Sequence, residues 1–206
     1  MIIRIRRALK KTGMLLLISL AACAAPVRER YYALSVPADS PTVASSVFDR
    51  DIIMRVTDIP EIIDRQQIVI FDASDEPIIL DDHLWAESVR GGVSHAISKN
   101  LSVLLPNAWV TQTPSERTHY PVRVMIRIEE MTAVLSRTVE LRASWIVQNG
   151  NDRCQESGRL GVQRAIGIDA KASDVVFLWS DEIATISRAI AESIVNVDVR
   201  EKCKPN

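Results

Sequence analysis

Aromatic residues are scarce: four Trp, three Tyr and three Phe make up 5% of the 206 residues. Stacking platforms for carbohydrate or single-stranded nucleic acid are therefore not the main business of this chain. No run approaches the roughly 20 consecutive apolar residues that a spanning helix needs. The stretch from Met14 to Ala22, apolar or small throughout, stops well short of that. Glycine is sparse at seven residues, and neither GxGxxG nor a P-loop occurs; Gly91-Gly92 sits inside a helical pattern instead. HExxH, CxxC and GxSxG are missing too, so zinc, dithiol and nucleophile-elbow chemistry have no signature here. Internal repeats and low-complexity segments are also lacking.

What is present begins at the amino terminus. Arg4, Arg6, Arg7, Lys10 and Lys11 precede the apolar run, and residues 1–22 contain no acidic residue. A basic region followed by a short apolar one is a secretory signal peptide. It ends in Leu20-Ala21-Ala22-Cys23, which resembles the bacterial lipobox. Such signals are cut before the cysteine, whose thiol takes diacylglycerol and whose new amino group is acylated. Several acyl chains, at about 0.8 kcal/mol per buried methylene, anchor far more firmly than one. Ala24 stands where an Asp would favour retention at the inner membrane, so the expected location is the outer membrane, facing the periplasm. The organisation expected is 1–22 signal peptide, 23–30 lipidated tether and 31–206 a single domain.

Removing residues 1–22 takes away five basic residues, leaving 20 basic against 26 acidic and a net charge of −6. A net negative chain of one domain's length has no electrostatic footprint for nucleic acid. The seven residues from Ala24 to Arg30 reach roughly 23 Å when extended. The domain must therefore lie close to the membrane.

Along the domain, Tyr31 to Leu34 reads as a strand, and Ser35 to Val47 as a loop broken by Pro37 and Pro41. Ile52 to Val56 is a second strand, closed by Asp58-Ile59-Pro60. Ile68 to Phe71 and Ile78 to Leu80 read as hairpin arms across Asp72–Pro77. A helix is expected from Asp81-Asp82, with Trp85, Val89, Val93, Ile97, Leu101 and Leu104 on one face and Pro106 as its stop. Alternation from Tyr120 to Glu130 and from Val139 to Val147 predicts two half-buried strands, followed by the Asn149-Gly150 turn. A weaker strand spans Arg159 to Ile168. A last helix runs from Ser173, the expected N-cap, to Val197, with Trp179, Ile183, Ile186, Ile190 and Ile194 on one side. The fold class is α/β: a single compact domain, a mixed β-sheet with two long helices packed on it.

Catalytic or metal chemistry is not evident. His83, His95 and His119 share no ligand spacing, and the adjacent pairs Asp81-Asp82 and Glu129-Glu130 would point apart on a strand. The expectation is no enzyme, no metal and no cofactor beyond covalent lipid on Cys23. Cys154 and Cys203 are either a disulfide, worth roughly 4 kcal/mol through loop closure, or two thiols too far apart to pair. An oxidising periplasm favours the bond.

Four stretches carry a family resemblance. They are Tyr31-Tyr32-Ala33-Leu34, the segment from Val56 to Val69 (VTDIPEIIDRQQIV), Leu84-Trp85-Ala86-Glu87, and Asn100 to Leu105 (NLSVLL). In this order, after a lipobox, they resemble the ABC-type transport auxiliary lipoproteins, the family of paraquat-inducible protein C. The chain departs from that pattern at Ile62, Gln66 and Ser88. The resemblance implies an outer-membrane lipoprotein without catalytic chemistry, with a fold similar to the amino-terminal domain of TolB. It also implies partners: an MCE-domain periplasmic protein with its inner-membrane permease and ATPase, which together move lipid between membranes. Homo-oligomers are compatible with it.

Three functions follow: a module docking an MCE-type transporter at the outer membrane, a lipid-binding carrier or chaperone, and an envelope hydrolase. The hydrolase lacks a reactive centre, and the carrier needs an apolar cavity of several hundred Å³. A protein partner could add a strand to an open sheet edge or meet a surface patch. Trp85 is the first candidate for that patch, against the alternative of a plain core residue. Tyr31 and Tyr32 face opposite ways on a strand, so at least one is available. Arg65 is either a partner contact or half of a local salt bridge.

Overall fold

The computed structural model describes residues 28–36, 48–113, 120–150 and 154–199. In chain order its elements are β1 (Arg30–Tyr32), β2 (Ile52–Asp58), β3 (Gln67–Phe71), β4 (Pro77–Trp85), α1 (Val89–Leu104), β5 (Val110–Thr111), β6 (Val122–Val134), β7 (Thr138–Gln148), β8 (Gln155–Ala165) and α2 (Ala172–Val199). The eight strands form one curled mixed sheet, a half-barrel, with both helices packed on it.

β6 organises the sheet. One edge pairs antiparallel with β7 along nearly its whole length, and β8 follows antiparallel on β7. The other edge is shared: β2 runs parallel beside its first half, and β3 meets it at Val134. β5 extends the β2 arm, while β4 and then β1 extend the β3 arm. Two arms leaving one strand cannot stay flat, so the sheet curls.

Alternation explains the core face. Val122, Val124, Ile126 and Ile128 are buried on β6, as are Val139, Leu141, Ala143, Trp145 and Val147 on β7. Beyond Ile128 the buried parity of β6 switches to Met131 and Ala133, because a bulge at Glu129 inserts one unpaired residue. That bulge carries the strand four residues past the Glu130 end expected from simple alternation.

The expected helix start at Asp81-Asp82 is corrected. Residues 81–85 belong to β4, and the helix begins at Val89 behind an N-cap at Ser88, whose Oγ accepts the Gly91 N–H at 3.1 Å. Trp85 stands four residues before Val89 and so mimics a helical step. Parallel pairing with β1 (Tyr32 beside Trp85) and a bond from the Trp85 N–H to the Gln66 carbonyl hold it extended instead. The helical face from Val89 to Leu104 is as expected, and it is buried.

Ser173 is not the N-cap of α2. The carbonyl of Lys171 accepts the Asp174 N–H, and the Asp174 carboxylate accepts the Lys171 N–H at 2.8 Å. This reciprocal pair makes Lys171 the cap and places Ser173 within the first turn. Smaller shifts concern strand ends: β1 covers Arg30–Tyr32 rather than Tyr31 to Leu34, and β8 lies four residues earlier than Arg159. β5 had no sequence signal.

Two indole groups lock α2 to the sheet. The Trp179 ring, fully buried, donates to the Thr132 carbonyl at 3.3 Å and packs on Trp85 with centroids 5.9 Å apart. Trp145 Nε1 donates to Ser193 Oγ at 3.0 Å, tying β7 to α2. At the β7 end, Arg50 Nη2 donates to Asn149 Oδ1 and to the Tyr120 carbonyl, where Gly150 lies so close that a Cβ would meet the Tyr120 backbone at 2.3 Å.

Candidate interaction site at the first strand

The turn that leads into β3 is a short coil of backbone bonds, Ile63 N–H to the Pro60 carbonyl and Asp64 N–H to the Glu61 carbonyl. It presents Asp64, Arg65 and Gln66 beside the end of β4. On the far side β1 lies parallel to residues 83–85, and the Ala86 N–H closes the corner on the Tyr32 carbonyl at 2.8 Å. The N-terminus of α1 completes the wall. The result is a cleft of about 450 Å³ lined by Tyr31, Arg65, Gln66, Trp85, Glu87 and Ser88, among others.

Three of the four partner-binding candidates therefore meet at one place, although 34 residues separate Tyr31 from Arg65 and 20 separate Arg65 from Trp85. Tyr32 does not join them. It points the other way, stacks on His83 with centroids 5.4 Å apart and hydrogen-bonds His83 Nδ1 at 2.8 Å.

The members differ in availability. Trp85 is only 9% exposed; most of its ring belongs to the core against Trp179, and an edge of it reaches the cleft. The ion pair of the turn is Asp64 with Arg90, at 3.3 Å. Arg65 is exposed, and its guanidinium has no partner among the described residues. The Tyr31 hydroxyl donates to Glu29 at 2.6 Å, and that hydrogen bond pushes the phenol above its usual range. One free cation, one phenol and an indole edge form a contact surface. They do not form a general acid–base pair poised on a substrate.

Glu87, on the cleft wall, is paired with a histidine of α1. His95 Nδ1 lies 2.7 Å from Glu87, while His119 falls outside the described residues, as do Cys23, Cys203 and the expected signal peptide. Cys154 is a disulfide cysteine. Among the described residues three strands have a single partner: β1 pairs only with β4, the two-residue β5 only with β2, and the 11-residue β8 only with β7. Sequence reasoning missed Glu182, a fully buried carboxyl on α2. Its signal was available, since an acid three residues after Trp179 and four before Ile186 lies at the border of the apolar stripe.

A family model for the ABC-type transport auxiliary lipoprotein component matches residues 32–191. The chain belongs to this family. Its members are transport auxiliary lipoproteins, which implies a non-catalytic role. Among curated relatives, the intermembrane transport lipoprotein PqiC of Escherichia coli (strain K12) is 22% identical over 173 residues, covering 83% of this chain and 91% of that protein. PqiC of Shigella flexneri matches equally. A crystal structure of a Xanthomonas campestris protein shares the fold, with a TM-score of 0.62 at 12% identity over 81% of this chain and 96% of that one. Another, of an uncharacterized protein, has a TM-score of 0.66 at 16% identity, covering 81% of this chain and 99% of the other. No helix among the described residues is long and apolar enough to cross a membrane.

Proposed function

We propose that the chain is a non-catalytic outer-membrane lipoprotein subunit of an MCE/ABC-type intermembrane lipid transport system. It docks the periplasmic transporter at the outer membrane, anchored through lipid on Cys23. The observation that carries this reading is the family match across residues 32–191, joined to the lipobox-like Leu20-Ala21-Ala22-Cys23. The distant relation to PqiC supports an intermembrane transport role. Residues 1–22 as signal peptide, 23–30 as tether and a likeness to the TolB amino-terminal domain belong to the same proposal. The cleft of Tyr31, Arg65 and Trp85 beside the open β1 edge is the proposed docking surface, suited to an acidic or carbonyl-rich strand.

A lipid carrier is the alternative. It is the weaker reading, because the clefts described hold about 260 to 450 Å³ and none is walled by apolar side chains alone. Co-purification distinguishes the two. A carboxy-terminally tagged chain is solubilised in mild detergent, as wild type and as Cys23→Ser. Enrichment of an MCE-domain protein with the wild type is the expected outcome. Bound phospholipid with no MCE protein would favour the carrier. Arg65→Glu should weaken recovery of the partner several-fold while leaving the fold intact, since the exposed guanidinium makes no bond among the described residues.

Pairing of Cys154 with Cys203 is part of the proposal. Non-reducing electrophoresis should show a mobility shift on reduction that both Cys154→Ser and Cys203→Ser abolish. Each variant should lose roughly 4 kcal/mol of stability. A Cys203→Ser chain that still shifts on reduction would show that Cys154 has another partner.

A further inference from the structure

The end of the molecule where the chain enters carries features that docking does not use. β1 starts at Arg30 and runs parallel to residues 83–85, so Arg28 and Glu29 lie back along β4 toward the β3–β4 turn. That end also holds the β6–β7 turn, because the Leu135 N–H donates to the Phe71 carbonyl and Arg137 donates to the Ala73 carbonyl. The β8–α2 connection joins them through the Ile166 N–H, which donates to the Arg137 carbonyl at 3.1 Å.

Between these turns lies a cleft of about 260 Å³ floored by Ile70, Leu80, Leu135 and Val175, with Arg30 and Lys171 among its lining residues. Neither the Arg30 guanidinium nor the Lys171 ammonium has a partner among the described residues. Two of the three most exposed large apolar side chains described are close in sequence to that lining: Ile168, 77% exposed, two residues before Ala170, and Phe177, 65% exposed, two residues after Val175. Ile168 lies on the connection into α2, and Phe177 lies in the second turn of α2.

Exposed apolar groups set among unpaired cations partition to a bilayer interface, apolar side chains at the acyl boundary and cations at the phosphates. Chain length agrees. Seven residues separate Cys23 from Arg30, so an anchored chain keeps this end within roughly 25 Å of the lipid. We propose that this end of the domain lies against the phospholipid surface. Ile168 and Phe177 enter the headgroup layer, and Arg30 and Lys171 take lipid phosphate at the mouth of the apolar cleft. Asp81, Asp82 and Asp169 share the region, so apolar insertion, more than net charge, drives the contact. The orientation rests on the reading of Cys23 as the anchor; the contact itself does not.

The test uses the exported mature chain carrying Cys23→Ser, released by an ordinary cleavable leader and so free of both acyl chains and signal peptide. It is sedimented with phosphatidylethanolamine–phosphatidylglycerol vesicles. The unanchored chain should partition onto them, and Ile168→Ser with Phe177→Ser should lower the partition coefficient about tenfold. Arg30→Ala with Lys171→Ala should lower it about fivefold. Met125→Ser, an exposed position on β6, should leave it unchanged, with thermal unfolding equal in all variants. Absence of binding by the unanchored chain overturns the proposal. So do face variants that bind like the control, even if they lose a protein partner. Mass analysis of the Cys23 peptide from the wild type reports on the anchor separately.

Discussion

Raising the pH from about 5 to about 8.5 should cost the native protein roughly 4 kcal/mol of stability, and Glu182→Gln should remove that loss. Glu182 is fully buried on α2, and neither carboxyl oxygen has a hydrogen-bond partner among the described residues. Burial raises its pKa to about 8; Arg164 opposes the shift, and Asp181 and Glu140 add to it. Arg164 cannot neutralise it, because that guanidinium is spent on Asp181 at 3.1 Å. In the unfolded chain the same carboxyl titrates near its ordinary value. Between that value and about 8 the folded state holds a proton that the unfolded state releases, so stability falls as pH rises and levels off above. Glutamine has no proton to lose and should stay flat through this window. Glu129 does not interfere: Ser144 and Arg159 hold it below the usual carboxylate range, so its contribution changes only at more acid pH. Urea midpoints of both proteins at both pH values decide the matter. Parallel profiles would mean that Glu182 is ionised or finds a partner.

Gly158→Ala should destabilise the fold by about 3 kcal/mol, and Gly158→Val should prevent folding. Gly158 on β8 faces Trp145 on β7, and the indole lies across it so closely that a Cβ would sit 2.3 Å from a ring carbon. The ring cannot retreat, since Trp145 is buried and its Nε1 is committed to Ser193 on α2. The same substitution three residues on is a control. A Cβ at Gly161 would meet only the Arg142 side chain, at 3.4 Å, so Gly161→Ala should be neutral or slightly stabilising. If the overlap is the cause, Trp145→Leu should recover part of the loss in a Gly158→Ala background, a coupling readable in a double-mutant cycle. Equal effects at Gly158 and Gly161 would point instead to backbone propensity.

How far a sequence carries depends on whether a neighbour or a distant segment sets the conformation. β7 and the face of α1 were legible because one side meets the core, so hydrophobic period reports burial directly. The start of α1 was not, because Trp85 falls in step with Val89 while β1, more than 50 residues earlier, holds it in a strand. β8 was misplaced because its outer edge and one face meet solvent, which leaves little alternation from Gln155 to Gly161. β5 exists only through pairing of Val110 and Thr111 with β2. The cap of α2 was misread since Ser173 has the right chemistry, but the Asp174 carboxylate reaches back to Lys171.

The candidate site divides the same way. Sequence by itself determined the lipobox resemblance, the family and the residue types worth watching, because those are properties of short contiguous stretches. It could not bring Tyr31, Arg65 and Trp85 to one cleft or send Tyr32 to the opposite face. Nor could it strand the carboxyl of Glu182 in the seam between α2 and the sheet. Those outcomes depend on which part of the shared β6 edge each arm occupies and how the sheet curls. Non-local pairing and close packing decide that, and neither has a period along the chain.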